Sequence, residues 1–298
     1  MKSKPTRWLL ILSVALSVGA VLVSGATWVS ASGQASSPPV APKNLRIVPN
    51  GATIFFDDFL GTSIDSSKWT VYDRLSDQAN GEVNCVLPAN VSVSGSLLSG
   101  VSKFEDHVCG DSLRAPQTEH YTSWQIAQAT APFLYGTVDF RAKLPGGIGI
   151  WPDLWLLGNK WQASQPFTAD DPAANGADPG WGEIDIAEFW QNSRTTVNNS
   201  AHVGSGDGLH IANLPFDATT RFMVYRLIWT STSLTWQVDA EDGKGFQTTR
   251  FLDSSSGRVP TVPYYLVINA AIGGNGGGNP NPSTFPQTFQ VDYVRVTQ

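Results

Sequence analysis

The sequence is poor in the residues on which thiol and soft-metal chemistry depends. Its 298 residues hold two cysteines, Cys85 and Cys109, and four histidines. Neither a CxxC pair nor a zinc-like spacing occurs, which excludes thiol redox chemistry and a histidine metal cluster. Basic charge is also scarce, with 19 Lys and Arg against 25 Asp and Glu. A nucleic-acid partner, whose phosphates demand a basic surface, therefore has no electrostatic support. No convincing amphipathic helix is found, and nothing suggests a nucleotide or redox cofactor.

The basic residues that do occur are uneven. Lys2, Lys4 and Arg7 precede an uncharged apolar run from Trp8 to about Val23, and small residues follow through Val29, Ser30 and Ala31. This reads as a signal peptide over residues 1–31, with a break after Ala31 or Ala35. The stretch Trp8–Trp28 also approaches the roughly 20 residues of a retained anchor. Ser13, Ser17, Gly19, Ser24 and Gly25 dilute it and favour cleavage. Removing the leader takes away three positive charges and no negative ones, so −6 becomes −9. The mature chain is then secreted into a compartment where a Cys85–Cys109 disulfide can persist, two reduced buried thiols being the alternative. Residues 32–43 are small, polar and proline-rich, a flexible linker. Residues 44–298 show no repeat and no composition break, as expected of one domain.

Short runs rich in Val, Ile, Phe, Tyr, Trp and Thr recur along that domain between Gly, Pro, Asn and Asp clusters. Strands are predicted at Thr53–Asp57, Asn90–Val93, Ser123–Ala127, Gly136–Lys143, Trp151–Leu157, Glu183–Phe189, Thr196–His202, Met223–Thr230, Ser233–Val238, Tyr264–Ala271 and Gln290–Val296. So many antiparallel strands need a shared core, so the fold class is all-β, a two-sheet sandwich of jelly-roll type. The segment Asn159–Gly180 is a long polar loop of the kind that serves binding. Eleven tryptophans are many for this length, some for the core and some as platforms for sugar rings.

The stretch Trp181-Gly-Glu183-Ile-Asp185-Ile-Ala-Glu188-Phe-Trp190 puts acidic residues in an apolar strand. Residues two apart share a face, so Glu183 and Asp185 point one way and Ile184 and Ile186 the other. Glu188 falls on the wrong face unless a β-bulge near Ile186-Ala187 restores it. Retaining glycosidases need two carboxyls about 5–5.5 Å apart, one as nucleophile and one as acid and then base. Crowded carboxylates cannot all ionise cheaply, so one Glu is expected to stay protonated as the acid, with Asp185 orienting the pair. A solvated acidic face or a calcium site is the plainer alternative.

These residues, with Phe55-Phe-Asp-Asp-Phe, Asn80-Gly-Glu82, Tyr135-Gly-Thr-Val-Asp-Phe-Arg141, Trp151-Pro-Asp-Leu-Trp155 and the closing Phe285–Val296, resemble glycoside hydrolase family 16 in its laminarinase-like, bulged Glu-x-Asp-x-x-Glu branch. The resemblance covers most of residues 52–298. It implies a concanavalin-like jelly roll with Glu183 as nucleophile, Glu188 as acid/base and Asp185 as helper. It further implies that Asn80, Glu82, Arg141, Trp151, Trp155, Trp181 and His202 line the sugar site. A structural calcium ion held by Asp292 and a carbonyl near Gly95 is also implied, with no cofactor needed for catalysis. Ala187, Phe189-Trp-Gln-Asn and Gly276 depart from the family pattern.

The expected function is endo-acting hydrolysis of β-1,3- or mixed β-1,3/1,4-glucan by a secreted monomer. A polysaccharide is the expected partner, with no nucleic acid and no membrane once the leader is removed. A galactan hydrolase, a transglycosylase and a lectin-like binding module are the alternatives.

Overall fold

The computed structural model describes residues 51–163, 178–204 and 208–298. The predicted leader, the linker and the middle of the Asn159–Gly180 loop lie outside the described residues. Among those described, no helix is long and apolar enough to cross a membrane.

The strands are β1 (Thr53–Asp57), β2 (Trp69–Val71), β3 (Arg74–Leu75), β4 (Cys85–Val86), β5 (Val91–Ser94), β6 (Leu97–Cys109), β7 (Gln117–Gln128), β8 (Gly136–Lys143) and β9 (Ile150–Gly158). They continue as β10 (Glu183–Glu188), β11 (Thr196–His202), β12 (His210–Asn213), β13 (Met223–Trp229), β14 (Ser233–Asp239), β15 (Gln247–Asp253), β16 (Tyr264–Ile272) and β17 (Gln287–Thr297). Two short helices, α1 (Asn159–Ala163) and α2 (Gly274–Gly277), join them.

Pairing sorts these strands into two layers. The first runs β5–β6–β17–β8–β13–β14–β15, with β1 alongside the last residues of β17. The second runs β2–β7–β16–β9–β10–β11–β12. All these pairs are antiparallel; the short β4 runs parallel to β7. The β6–β7 hairpin belongs to both layers: β6 pairs with β17 through Leu98–Ser102 and with β7 from Lys103 onward. The fold is thus the expected antiparallel sandwich.

One alternating face of each sheet builds the core. Trp124 and Ile126 of β7, Leu154 and Leu156 of β9, Ile184 and Ile186 of β10, and Leu266 and Ile268 of β16 come from the second layer. They meet Phe140 of β8, Tyr225 and Leu227 of β13, Trp236 of β14 and Val294 of β17. Each such side chain contributes about 1.5–3 kcal/mol by leaving water, so the core fixes which face of β10 turns outward.

Cys85 and Cys109 form the expected disulfide, with Cα atoms 5.9 Å apart, and pack with Leu75 and Leu87 in a small separate cluster. The bridge ties β4 to the end of β6. Next to it, Val83 N donates to Ile272 O at 2.9 Å and Ile272 N donates to Asn84 Oδ1 at 2.9 Å, so the Asn80–Asn84 segment is clamped onto the end of β16. Replacing both cysteines by serine is expected to cost about 3 kcal/mol, because the bridge closes a loop of 24 residues in the unfolded chain. Urea unfolding of wild type and double variant under non-reducing conditions measures it.

Candidate active site

Strand β10 lies between β9 and β11 in the middle of the second sheet, and its open face carries the acidic residues. Against β9 the register steps from Asp185↔Trp155 to Ala187↔Leu154 and Glu188↔Asp153. Against β11 it steps from Asp185↔Ser200 to Glu188↔Asn198. The extra residue is the β-bulge that the spacing predicts, and Ile186 and Ala187 both stay in the core while Glu188 returns to the face of Glu183 and Asp185.

A bulge frees backbone groups that the ladder would have bonded, and buried ones need partners. Trp236 Nε1 donates to Asp185 O at 2.8 Å from the opposite sheet, and Asn199 Nδ2 donates to Ile186 O at 2.8 Å from β11. The bulge is therefore held from both sides.

Around the carboxylates the partners differ. His202 Nε2 lies 3.2 Å from Asp185 Oδ2 and 3.8 Å from Glu183 Oε1. Burial works against its charge, but bonding to Asp185 and the charges of Glu183, Asp185 and Glu188 outweigh this and raise the imidazole to about 10. Glu183 keeps 34% of its side chain open. Burial of its carboxyl, then the charge of Asp185, hold it well above the usual carboxylate range, with the His202 charge pulling the other way. Glu188 is buried, and Trp151 Nε1 donates to its Oε1 at 2.7 Å. Burial, then the charge of Asp185, push it up to about 8, against the indole N–H groups of Trp190 and Trp151.

The Trp151 indole owes its place to an absence. A Cβ on Gly276 of α2 would fall 2.2 Å from the ring, so the ring fills the space a side chain there would need. This is the physical counterpart of one departure noted in the sequence. Trp155, four residues along β9, shares the face but donates instead to Asn269 Oδ1 at 2.6 Å.

Two glutamates, an aspartate, an imidazole and two indoles thus share one face of the second sheet. Residues 112–295 match Glycosyl hydrolases family 16. The chain belongs to this family.

Among curated relatives, it is 31% identical over 292 residues to glucan endo-1,3-beta-glucosidase A1 of Niallia circulans, covering 89% of this chain and 39% of that one. It is 28% identical to the beta-glucanase of Rhodothermus marinus, covering 83% of this chain and 85% of the relative. The catalytic domain of an endo-1,3-beta-glucanase (laminarinase) from Thermotoga petrophila superposes with a TM-score of 0.69 at 28% identity, covering 84% of this chain and 99% of that one.

The other residues expected at this family 16 site fall in different places. Asn80 and Glu82 reach the end of β16, where Asn275 N donates to Asn80 O at 3.0 Å and Glu82 bridges Gly273. Burial and the charge of Asp77 raise Glu82 to about 7. Trp181 lies in the turn entering β10 and packs edge-on to Trp161, with centroids 5.0 Å apart.

Arg141 does not join them. Strand β8 is in the other sheet, and the Arg141 guanidinium binds Glu241 at 2.7 Å and Asp292 at 2.9 Å. Alternation along β8 cannot reveal which sheet the strand enters. The same contact bears on the expected calcium site: Asp292 already pairs with a guanidinium, and Gly95 serves a tight turn at φ +58° between β5 and β6. One Asp292 oxygen is thus taken by Arg141, which competes with a cation for that carboxylate. Ligand atoms of Glu183, Asp185 and His202 lie within 4.8 Å of one another, close enough for a metal. The neighbouring carboxylates favour the protonated His202 ring, and in that form it has no free lone pair to ligate.

Asp153 and Asn269 went unnoticed in the sequence, yet both share the open face. Asn269 Nδ2 donates to Asp153 Oδ2 at 3.0 Å. Period-two reading of Trp151-Pro-Asp153-Leu-Trp155 would have placed Asp153 beside the tryptophans.

The crowded carboxyls should leave a mark on stability. A glutamate whose folded affinity for protons is raised stabilises the fold most below its ordinary 4.5, and for Glu188 this is lost as pH rises through about 8. His202 has the same sign, its contribution present below 6.5 and lost as pH rises through about 10. Thermal unfolding should therefore show Tm falling from mildly acid to alkaline pH, and Glu188→Gln should raise Tm by about 3 °C at alkaline pH. A Tm that rises over this range would contradict the electrostatics.

Proposed function

We propose that this family 16 chain is a secreted, monomeric, endo-acting hydrolase of β-1,3- or mixed β-1,3/1,4-glucan that retains anomeric configuration. The observation that carries the reading is the unequal partnering of two glutamates on one bulged strand. Burial raises both, but Glu183 has the His202 imidazole 3.8 Å away to offset it, whereas the groups that bond Glu188 are neutral indoles. That asymmetry fits Glu183 as nucleophile and Glu188 as acid.

In the first step a Glu183 oxygen bonds to the anomeric carbon while the glycosidic C–O bond breaks, and Glu188 passes its proton to the departing oxygen. In the second, Glu188 takes a proton from water, whose oxygen bonds to the anomeric carbon as the bond to Glu183 breaks. Asp185, joined to His202, orients the nucleophile between them. Trp155, half-buried, offers a ring face to sugar, Trp151 holds Glu188 in the floor beside it, and Asn80 and Glu82 offer polar contacts at the Trp151 end. The names of the Niallia circulans and Thermotoga petrophila relatives support a β-1,3-linked substrate.

Incubation of the full chain with laminarin, mixed-linkage glucan, agarose and carrageenan tests the reading. Short oligosaccharides from either glucan, with the β-anomer appearing first by NMR, are expected. Products from the galactans alone would move the assignment to that substrate class, and the α-anomer first would rule out retention. Glu183→Gln and Glu188→Gln should each lower kcat on laminarin by about a thousandfold or more while oligosaccharide binding persists. Near-normal turnover in either variant would sink the roles.

A further inference from the structure

A fourth carboxyl stands beside the three just described, and its partners are incomplete in a specific way. Asp153 on β9 is directly opposite Glu188 on β10 and Asn269 on β16. It is 8% exposed. Because Trp155 Nε1 occupies the Asn269 oxygen at 2.6 Å, the amide has one orientation, and its nitrogen bonds Asp153 Oδ2 at 3.0 Å. Asp153 Oδ1 is buried with no hydrogen-bond partner among the described residues. Glu188 Oε2 has no partner in hydrogen-bond geometry either, although the equally unpaired indole N–H of Trp190 lies near enough to favour its charge; its sister oxygen accepts from Trp151.

Two buried, unsatisfied carboxyl oxygens on directly opposed residues are costly as two anions and satisfied together by one proton between them. We propose that Asp153 and Glu188 share a single proton, Asp153 being a positioning residue that sets the pH range over which Glu188 acts as an acid. This rests on the role given to Glu188 above.

The surroundings leave Asp153 few ways to remain charged. Glu188 and Asp185 face it from β10, and Glu82 from the segment before β4. Asn269 on β16 is neutral, and the cation His202 on β11 sits against Glu183 and Asp185. Burial, then the charges of Glu188, Asp185 and Glu82, hold Asp153 well above the usual carboxylate range.

During turnover the pair gives its one proton to the departing oxygen and becomes doubly negative, then regains a proton from the attacking water. Repulsion from Asp153 thus strengthens Glu188 as a base in the second step and keeps it protonated to higher pH before the first.

The test uses Asp153→Asn in the full chain, which keeps the acceptor for Asn269 and removes only the charge. Two readouts are compared with wild type. Infrared pH titration of the protonated-carboxyl stretch, without substrate, should show Glu188 ionising about one pH unit or more lower in the variant. The basic limb of kcat/KM on laminarin should shift down equally, giving about a tenfold loss at alkaline pH, with KM changed far less. Should Asp153→Asn fail to fold, Asp153→Ser carries the same expectations.

A uniform fall in kcat with the basic limb and the infrared titration unmoved would overturn the proposal and leave Asp153 a packing residue. If wild type cleaves no glucan but the infrared shift is found, the shared proton stands and the glucanase reading fails.

Discussion

The register step at Ile186-Ala187 is the constraint on which the site depends. Strand parity would send Glu188 into a core of Ile184, Leu154 and Trp236, where an unpaired carboxylate is prohibitively costly. One extra residue reverses that parity, and the reversal lasts only because the freed carbonyls at Asp185 and Ile186 find an indole and an amide. The chemistry on the open face and the packing beneath it are thus two sides of one local irregularity. Trp236 links them directly, as a core residue of the opposite sheet bonded to the backbone of Asp185.

Electrostatically the open face works against the fold. Glu183, Glu188 and Asp153 are all pushed toward their neutral forms, burial being the first cause in each. The scaffold holds them together through the apolar core below and through neutral donors: Trp151 to Glu188, and Trp155 through Asn269 to Asp153. His202 is the positive charge placed against Glu183 and Asp185, and its position on one side makes the row chemically asymmetric.

Much of this was legible in the residues. Thr53–Asp57, Gly136–Lys143 and Thr196–His202 appear with the bounds the alternation predicts. The bulge followed from the five-residue spacing between Glu183 and Glu188. Strand β6 was missed because its second half, Lys103–Val108, is an exposed hairpin arm with no buried face to impose a period. The edge strand β15 was missed for the same reason, as its residues are exposed or half-buried throughout. The two-residue strands β3 and β4 exist through pairing with each other and with β7, which no local pattern encodes. Arg141 was placed by resemblance, and its actual partners, Glu241 and Asp292, are 100 and 151 residues away along the chain. Asp153 was hidden by its tryptophan neighbours, although it shares their face and alternates with Leu154 as Asp185 does with Ile184 and Ile186.

The contact between Gly276 and Trp151 restricts the order in which this site can change. A side chain at position 276 would meet the indole, and the indole is what bonds Glu188. A new wall for sugar in the α2 loop could therefore be tolerated only after position 151 had already moved aside, and that earlier step would alter the acid. Substrate selectivity and proton transfer are in this way physically tied at a single contact.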